Sequence, residues 1–456
     1  MITSLSISSV VSQIAGALWG WPMVALLLGT HIFLTIRLKF PQRKLIKAIK
    51  LSFTKDKGSS GDVSQFAALA TSLAATIGTG NIVGVATAIS LGGPGAVFWC
   101  WITGVFGIAT KYSEGLLAVK YRVKTEDGTM LGGPMYALEK GLKSKWLAVL
   151  FCIFTVCASF GIGNMVQANS ISMMMVETLD IAPQWTGLII SVLVASVILF
   201  GVKGIAKVCS FLVPFMALFY VIGCLIILGI NFEYLGESLR LIVHSAFNPQ
   251  AAGGGFAGAT VMAACRFGIS RGLFSNESGL GSAPIVAAAA QTRNPVRQAL
   301  VSSTGTFWDT VVVCAITGLV LVSTVVAPNG IDASQGAGLT EAAFSTIPVF
   351  GPIVMSVGIL TFAFSTILGW SYYGERCMEY LGGKKVIKYY RLAWIVTVYI
   401  GCVMNLQLAW DFADAANALM AIPNLIALLG LSGVIARETK KYLSGDHIND
   451  FAPEEE

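Results

Sequence analysis

QFAALATSLAATIGTGNIVGVATAISLGGPG, residues 65–95, is built almost entirely from small and apolar side chains. A run of about 20 such residues crosses the hydrocarbon core of a bilayer as a helix. Its centre, Ile77-Gly78-Thr79-Gly80-Asn81, is poor helix material, because each glycine costs a helix about 1 kcal/mol relative to alanine. Backbone groups freed there find no water in lipid and must be satisfied by protein, an ion or a ligand. The stretch reads as a discontinuous helix that holds a small solute at mid-membrane. Small residues also line tight helix contacts, so Gly78 and Gly80 alone leave both readings open. A second interrupted helix later in the chain favours the break.

The composition agrees with a membrane location. Of 456 residues, 55% are hydrophobic and 12% charged, and the mean hydropathy is +0.74. Globular proteins average about 25% charged residues. The expected fold class is an all-α polytopic membrane protein. No short apolar region with a small-residue cleavage site opens the chain, so the first apolar span is expected to be a true helix and not a signal peptide. The nine cysteines have no CxxC spacing and read as small buried hydrophobes. The three histidines, His31, His244 and His447, are too scattered for a zinc site.

The length rule draws about eleven spans, at 15–36, 63–91, 93–119, 146–176, 183–201, 205–230, 252–290, 296–326, 350–381, 388–407 and 411–436. Lysine and arginine concentrate in alternate loops: 27 of the 30 fall at 37–62, 111–145, 203–207, 293–297, 376–391 and 437–441. Cytoplasmic loops carry that excess, which places the amino end outside and the carboxyl end inside. The net charge of +6 needs no nucleic acid to explain it. Blocks such as Arg43-Lys44-Leu45-Ile46-Lys47 read as anchors to the lipid surface. The chain divides into an extra first helix with a basic linker (1–62), a first five-helix repeat (63–231), a second (232–437) and a tail (438–456). The two repeats run in opposite directions, and each begins with an interrupted helix. That is the inverted-repeat signature of a secondary transporter.

The second interruption is expected in AGGGFAGATVMAACRFGISRGLFSNESGLGSAP, residues 252–284. Its glycines are too many for a continuous helix, and Phe267-Gly268-Ile269 lies nearest the middle. Charges at membrane depth face the protein interior. Arg271 and Glu277 are therefore candidates for a structural ion pair or for gating. A half-helix that resumes after a break aims free amides at the gap. Thr79, Gly80 and Asn81 would receive a carboxylate, while carbonyls around Ala74 and Ile77 suit an ammonium group or Na+. A gap with both ends fits a zwitterion, a small amino acid.

The ninth span, ILTFAFSTILGWSYYGE, adds hydroxyls at Thr361, Ser365 and Thr366. Facing the carbonyls of the broken helix, they complete an oxygen shell for Na+; bonded back to their own helix, they do not. Trp370 follows Thr366 by one turn and would wall a small pocket or pack in the core. Asn164 and Gln167 lie a turn apart in the fourth span, facing substrate or bridging helices. Asp309 is the most deeply placed acid, with Arg266 or Arg271 as the expected partner and either a structural or a coupling role.

Four blocks carry a family resemblance: GPGAVFWCWITGVFGIATKYSEG (93–115), RGLFSNESGLGSAP (271–284), IGTGNIVGV (77–85) and LGGPMYALEKGL (131–142). In this order they resemble the alanine or glycine:cation symporter family over nearly the whole chain. Cys100 stands where the family signature carries methionine, an exchange of one soft apolar residue for another. The resemblance implies a LeuT-like fold within the amino acid–polyamine–cation superfamily and uptake of alanine or glycine with Na+. It places the ion between the carbonyls of Ala74 and Ile77 and the hydroxyls of Ser365 and Thr366. It places the substrate at Thr79 to Asn81 and Phe267 to Ile269.

The expected protein is thus a multi-pass symporter of the cell membrane that works by alternating access. Its partners are a small amino acid, Na+ and the bilayer, with no organic cofactor and no obligatory protein partner. A channel would draw its pore from repeated subunits or filter rings, which this chain lacks. A membrane enzyme would need paired histidines, metal spacing or a nucleophile set at depth, and the sequence offers none.

Overall fold

The computed structural model describes residues 7–56, 58–249, 256, 259–327, 330–404, 407–443 and 447–452. Numbering only helices of eight residues or more, the chain runs α1 (Ile7–Leu18), α2 (Trp21–Arg37), α3 (Leu45–Ser52), α4 (Gln65–Thr76), α5 (Val85–Gly92), α6 (Gly95–Lys120), α7 (Lys145–Phe160), α8 (Val166–Leu179), α9 (Pro183–Ile198), α10 (Gly201–Ile230), α11 (Phe232–Phe247), α12 (Val261–Asn276), α13 (Pro295–Thr306), α14 (Ala315–Val326), α15 (Phe350–Gly382), α16 (Ile387–Val403), α17 (Gln407–Gly430) and α18 (Ser432–Leu443). π-Helical turns join α7 to α8 at Gly161–Met165 and α13 to α14 at Phe307–Cys314.

Among the described residues, seven helical stretches are long and apolar enough to cross a membrane, eight with the bent pair α4–α5. Three other expected spans do not meet that measure. α6 is long, but Lys111 and Glu114 lie in its C-terminal half, while α9 and α12 have 16 residues each. The count of eleven therefore rests on the sequence alone. α11, outside every expected span, is amphipathic and exposes Phe232, Leu239 and Phe247.

The first interruption lies where the glycines put it. Ser64 caps α4 by accepting from the Ala67 amide, 3.2 Å. At Ile77 the backbone turns extended (φ −77°, ψ 93°). Helix resumes as a π turn at Gly80–Gly84 and then as α5, bent by 53° from α4.

The second interruption is not where the glycine count put it. Phe267, Gly268 and Ile269 lie inside the unbroken α12. The chain leaves the helix at Glu277 (φ 54°) and passes Gly279 (φ 88°) and Gly281 (φ 89°) before a short turn at Pro284–Ala287. The difference is one of packing against conformation. A Cβ on Gly268 would stand 2.3 Å from the Ala96 carbonyl oxygen, and one on Gly272 would stand 2.2 Å from Thr103 Oγ1. These glycines let α12 lie against α6. Gly279 and Gly281 instead take a left-handed backbone open mainly to glycine. Glycines 253–255 and 258 lie outside the described residues.

At the basic end the lead-in of α4 meets the segment after the second break. Val63 bridges Ala290 in parallel, Asp62 N donates to Ala289 O (2.8 Å), and Gln291 N donates to Val63 O (2.7 Å). The Arg122 guanidinium donates to Ser60 O on one side and to Ala288 and Ala290 O on the other, 2.9–3.2 Å. Asp56 holds Arg293 (2.5 Å) and Arg297 (3.2 Å). The tail docks onto the same place: Asn294 Nδ2 donates to Ile448 O and Asp450 O, both 2.9 Å, and Arg297 Nη1 donates to Asn449 Oδ1, 2.7 Å.

The two kinds of glycine predict opposite outcomes in thermal unfolding of the purified protein. Gly268→Ala forces a Cβ onto a backbone carbonyl and is expected to destabilise by about 1–3 kcal/mol. Gly84, with helical φ and nothing within 4 Å of its Cβ position, should accept alanine with no loss. Equal melting of Gly268→Ala and wild type would show that α12 does not depend on its close approach to α6.

Candidate functional site

The break after α4 frees backbone groups in the protein interior, and side chains from four other elements converge on them. On the carbonyl side, Ser365 Oγ donates to Ala74 O at 3.1 Å. Thr366 Oγ1 lies 3.2 Å from Ala74 O and 3.5 Å from Ile77 O. Both hydroxyls also reach Phe362 O on their own helix at 2.9 Å, so the back-bonding usual for helical Ser and Thr is shared with the neighbouring helix. The approach needs glycine twice. A Cβ on Gly78 would stand 2.6 Å from Thr366 Oγ1, and one on Gly369 would stand 2.7 Å from Ala75 Cβ. Four buried oxygens thus gather without a carboxylate, a hard and neutral donor set of the kind alkali and alkaline-earth cations accept. Thr361 is not among them. Its hydroxyl turns back to Val357 O (2.6 Å) and Gly358 O (3.3 Å).

The amide side is held by Asn81. Its Oδ1 accepts from the Gly78 amide at 2.9 Å, and its Nδ2 donates to Asp309 Oδ1 at 2.7 Å. Ile82 O accepts from Thr340 Oγ1, 3.1 Å. Thr79 is buried at the head of the π turn, and Gly80 packs on the Phe274 ring.

Asp309 is fully buried and does not pair with arginine as expected. It accepts from Asn81 Nδ2, from Ser275 Oγ (3.0 Å) and from Thr310 Oγ1 (2.7 Å). Arg266 and Arg271 lie over the rings of Phe267 and Phe274, 5.5 and 5.9 Å away, half-buried. Among the described residues neither forms an ion pair with Asp309 or Glu277. Three neutral donors satisfy the carboxylate without desolvating a guanidinium, which is costly. Arg271 instead faces Asp414 of α17.

The expected Arg271–Glu277 pair is likewise replaced. Glu277 Oε2 accepts from Ser282 Oγ at 2.5 Å. The break it opens is capped by a residue the sequence reading passed over. Glu114 Oε1 accepts from Gly279 N (3.0 Å), Gly281 N (3.2 Å) and Asn424 Nδ2 (2.8 Å). Lys111, counted with the basic loop 111–145, is buried inside α6 and is the cation facing Glu114, Glu277 and Asp309. Both charges stood in the KYSEG end of the signature block. Their position three apart inside an apolar helix was the signal.

Of the remaining candidates, Gln167 faces the first break. Its Nε2 donates to Ile162 O at 3.0 Å, and its Oε1, 3.6 Å from the Cβ position of Gly78, has no hydrogen-bond partner among the described residues. Trp370 is buried, stands on the π turn at Gly163 and meets the Tyr373 ring at 5.5 Å, and its side chain faces the Glu277 carboxyl of the second break. Asn164 ties that turn to α16 through Trp394 O, 3.0 Å. Phe267, Gly268 and Ile269 stand inside the unbroken α12, with Gly268 against Ala96 and Trp99 of α6.

Residues 4–452 match the model of the sodium:alanine symporter family. A transporter of Haemophilus influenzae is 53% identical over 455 residues, 99% of each chain. The sodium/alanine symporter AgcS of Methanococcus maripaludis is 51% identical over 442 residues, 95% of this chain and 97% of its own. Among solved structures, MhsT, crystallised with L-phenylalanine, aligns with a TM-score of 0.60 at 16% identity, over 84% of this chain and 93% of MhsT. That likeness gives the LeuT-like architecture and says nothing of the solute. A family model spanning the chain and a symporter identical at half its positions establish that this protein belongs to the sodium:alanine symporter family, membrane transporters and not enzymes.

Proposed function

We propose that the chain carries alanine and glycine across the cell membrane together with Na+ by alternating access. The observation that supports this most directly is the meeting of the Ser365 and Thr366 hydroxyls with the Ala74 and Ile77 carbonyls at the first break. Na+ is cargo in this reading, bound by oxygens that carry no titratable proton. The amino end lies outside and the carboxyl end inside, so the basic end closed by Arg122, Asp56 and the tail is the inner gate.

The substrate carboxylate takes the amides of Thr79 and Gly80, where a helix begins and its dipole favours an anion. Its ammonium group turns toward the unpartnered Gln167 Oε1. Trp370 limits the side chain to one or two carbons. From the second break the contacting turn is Asn276–Gly279, in place of Phe267–Ile269. Asp309, joined to Asn81 on one side and to Ser275 on the other, couples closure at the first break to α12. Glu277, at the head of the second break, takes the gating role. A bound ion moves such an equilibrium only through its difference in affinity for the two states, and oxygens assembled in only one of them supply that difference.

Uptake of labelled alanine into proteoliposomes tests the proposal. Wild type is expected to concentrate alanine only with an inward Na+ gradient; equal flux with Na+ removed at fixed pH would overturn sodium coupling. Thr366→Ala should raise the Na+ concentration for half-maximal uptake about tenfold, near 1.4 kcal/mol, and an unchanged value removes Thr366 from the ion site. Asp309→Asn puts an amide against the Asn81 and Ser275 donors, so loss of at least tenfold in uptake is expected while alanine binding persists. Trp370→Ala should admit larger neutral amino acids; wild-type selection in that variant argues against a wall there.

A further inference from the structure

Eight of the 30 lysines and arginines fall within residues 37–62, and the transport reading uses none of them. Helix α3, in this stretch, buries Ala48, Leu51 and Ser52 and exposes Ile46 and Lys50. Phe53, just past its end, is 69% exposed. A short helix with one apolar and one basic face lies in the plane of a membrane surface. The Phe53 ring stands 5.4 Å from Phe66 in the first turn of α4, an aromatic pair suited to the headgroup level. Lys50 and Lys55 flank Ser52 and Phe53 in the chain, are exposed, and form no ion pair among the described residues.

At Phe53 a groove of about 310 Å³ opens. One wall is α4 from Phe66 to Ile77, another is α10 from Val213 to Val221, and the third is the π-helical segment from Trp308 to Val313. Apart from Ser52 at its mouth, every lining side chain is apolar. The eleven steps from Phe66 to Ile77 rise about 16 Å, close to the ~15 Å of one leaflet of a hydrocarbon core about 30 Å thick. The groove is as deep as a leaflet and apolar to its end, and the exposed Lys50 and Lys55 stand two residues in the chain from Ser52 and Phe53 at its mouth.

We propose that this groove binds one acyl chain of an anionic phospholipid, with the headgroup phosphate at Lys50 and Lys55 and the chain end against Ile77. Charge selects the lipid, since a basic residue at the surface attracts an anionic headgroup. The chain end then rests behind the residue whose carbonyl takes Thr366 Oγ1, and beside Trp308 and Val313, which bracket Asp309. The occupant supports the back of the first break, so lipid identity should bear on cation activation. The binding does not rest on the transport reading: cross-linking reads the first, uptake the second.

The test uses the full-length protein in nanodiscs with dioleoyl phosphatidylglycerol bearing a diazirine near one acyl terminus, compared with phosphatidylcholine of the same chains. Adducts are expected on residues 73–77 and 308–313, at least fivefold more with phosphatidylglycerol. Ala217→Trp, which fills the groove, should abolish them. The surface variant Lys50→Gln/Lys55→Gln leaves the fold unstressed and should bring phosphatidylglycerol down to the phosphatidylcholine level. Equal labelling by the two lipids, or adducts spread over outward side chains such as Phe211 and Leu392, would mean ordinary annular lipid and overturn the proposal. So would cross-links between two copies across the groove. If labelling holds, replacing phosphatidylglycerol by phosphatidylcholine should raise the Na+ requirement of uptake at least threefold; uptake without any Na+ dependence would instead count against sodium coupling and leave the lipid site standing.

Discussion

A helix that stops inside an apolar layer leaves carbonyls and amides that no water reaches, and each needs a partner. This protein meets that need twice, and the partners it recruits make its site. At the first break, Ser365 and Thr366 supply hydroxyls to Ala74 O and Ile77 O, while Asn81 folds back on the Gly78 amide. These groups come from the same buried neighbourhood, so an interruption that costs helix stability gathers oxygens in a place otherwise apolar. In the proposed cycle, the oxygens that satisfy this backbone are the ones that coordinate the travelling ion.

The two breaks are satisfied differently. Neutral groups do the work at the first. At the second, one oxygen of Glu114 takes two backbone amides and an asparagine, with Lys111 as the cation facing it. A carboxylate accepts several donors at once and makes strong, short bonds, so it pins the Gly279–Gly281 turn in a fixed shape. A hydroxyl shared between two helices holds less firmly. The second turn is therefore tied to a single carboxylate, and the first to hydroxyls it shares with a neighbouring helix. Asp309 stands between them, bound to Asn81 of one and to Ser275, the residue before Asn276 and the end of α12, of the other.

The ends of both broken helices are also joined far from the breaks. Arg122 reaches carbonyls on the two segments that precede α4 and follow the second break, and Asp56 binds two arginines of the second segment. Ile448 and Asn449 of the tail close over this junction. These are charge-assisted bonds, and Asp56 and Arg297 are themselves buried.

Much was legible in the sequence because it is local. Apolar length marks the spans, lysine and arginine mark the basic side, and Gly78-Thr79-Gly80 weakens one helix within a few residues. Ser365 and Thr366 could be named because their helix carries adjacent hydroxyls and because the family motifs surround them. What the sequence did not decide was which glycines break a helix and which let one pass close to another. Gly268 and Gly279 look alike in the chain. The Ala96 carbonyl beside one and the left-handed backbone of the other separate them, and both are properties of the packed molecule. The partner of Asp309 was equally hidden, since Arg271, 38 residues away in the chain, lost to Asn81, 228 residues away. Sequence alone determines where polar groups must be satisfied; only tertiary structure chooses the groups that satisfy them, because a buried hydrogen bond depends on distances of a few tenths of an ångström that no local pattern encodes.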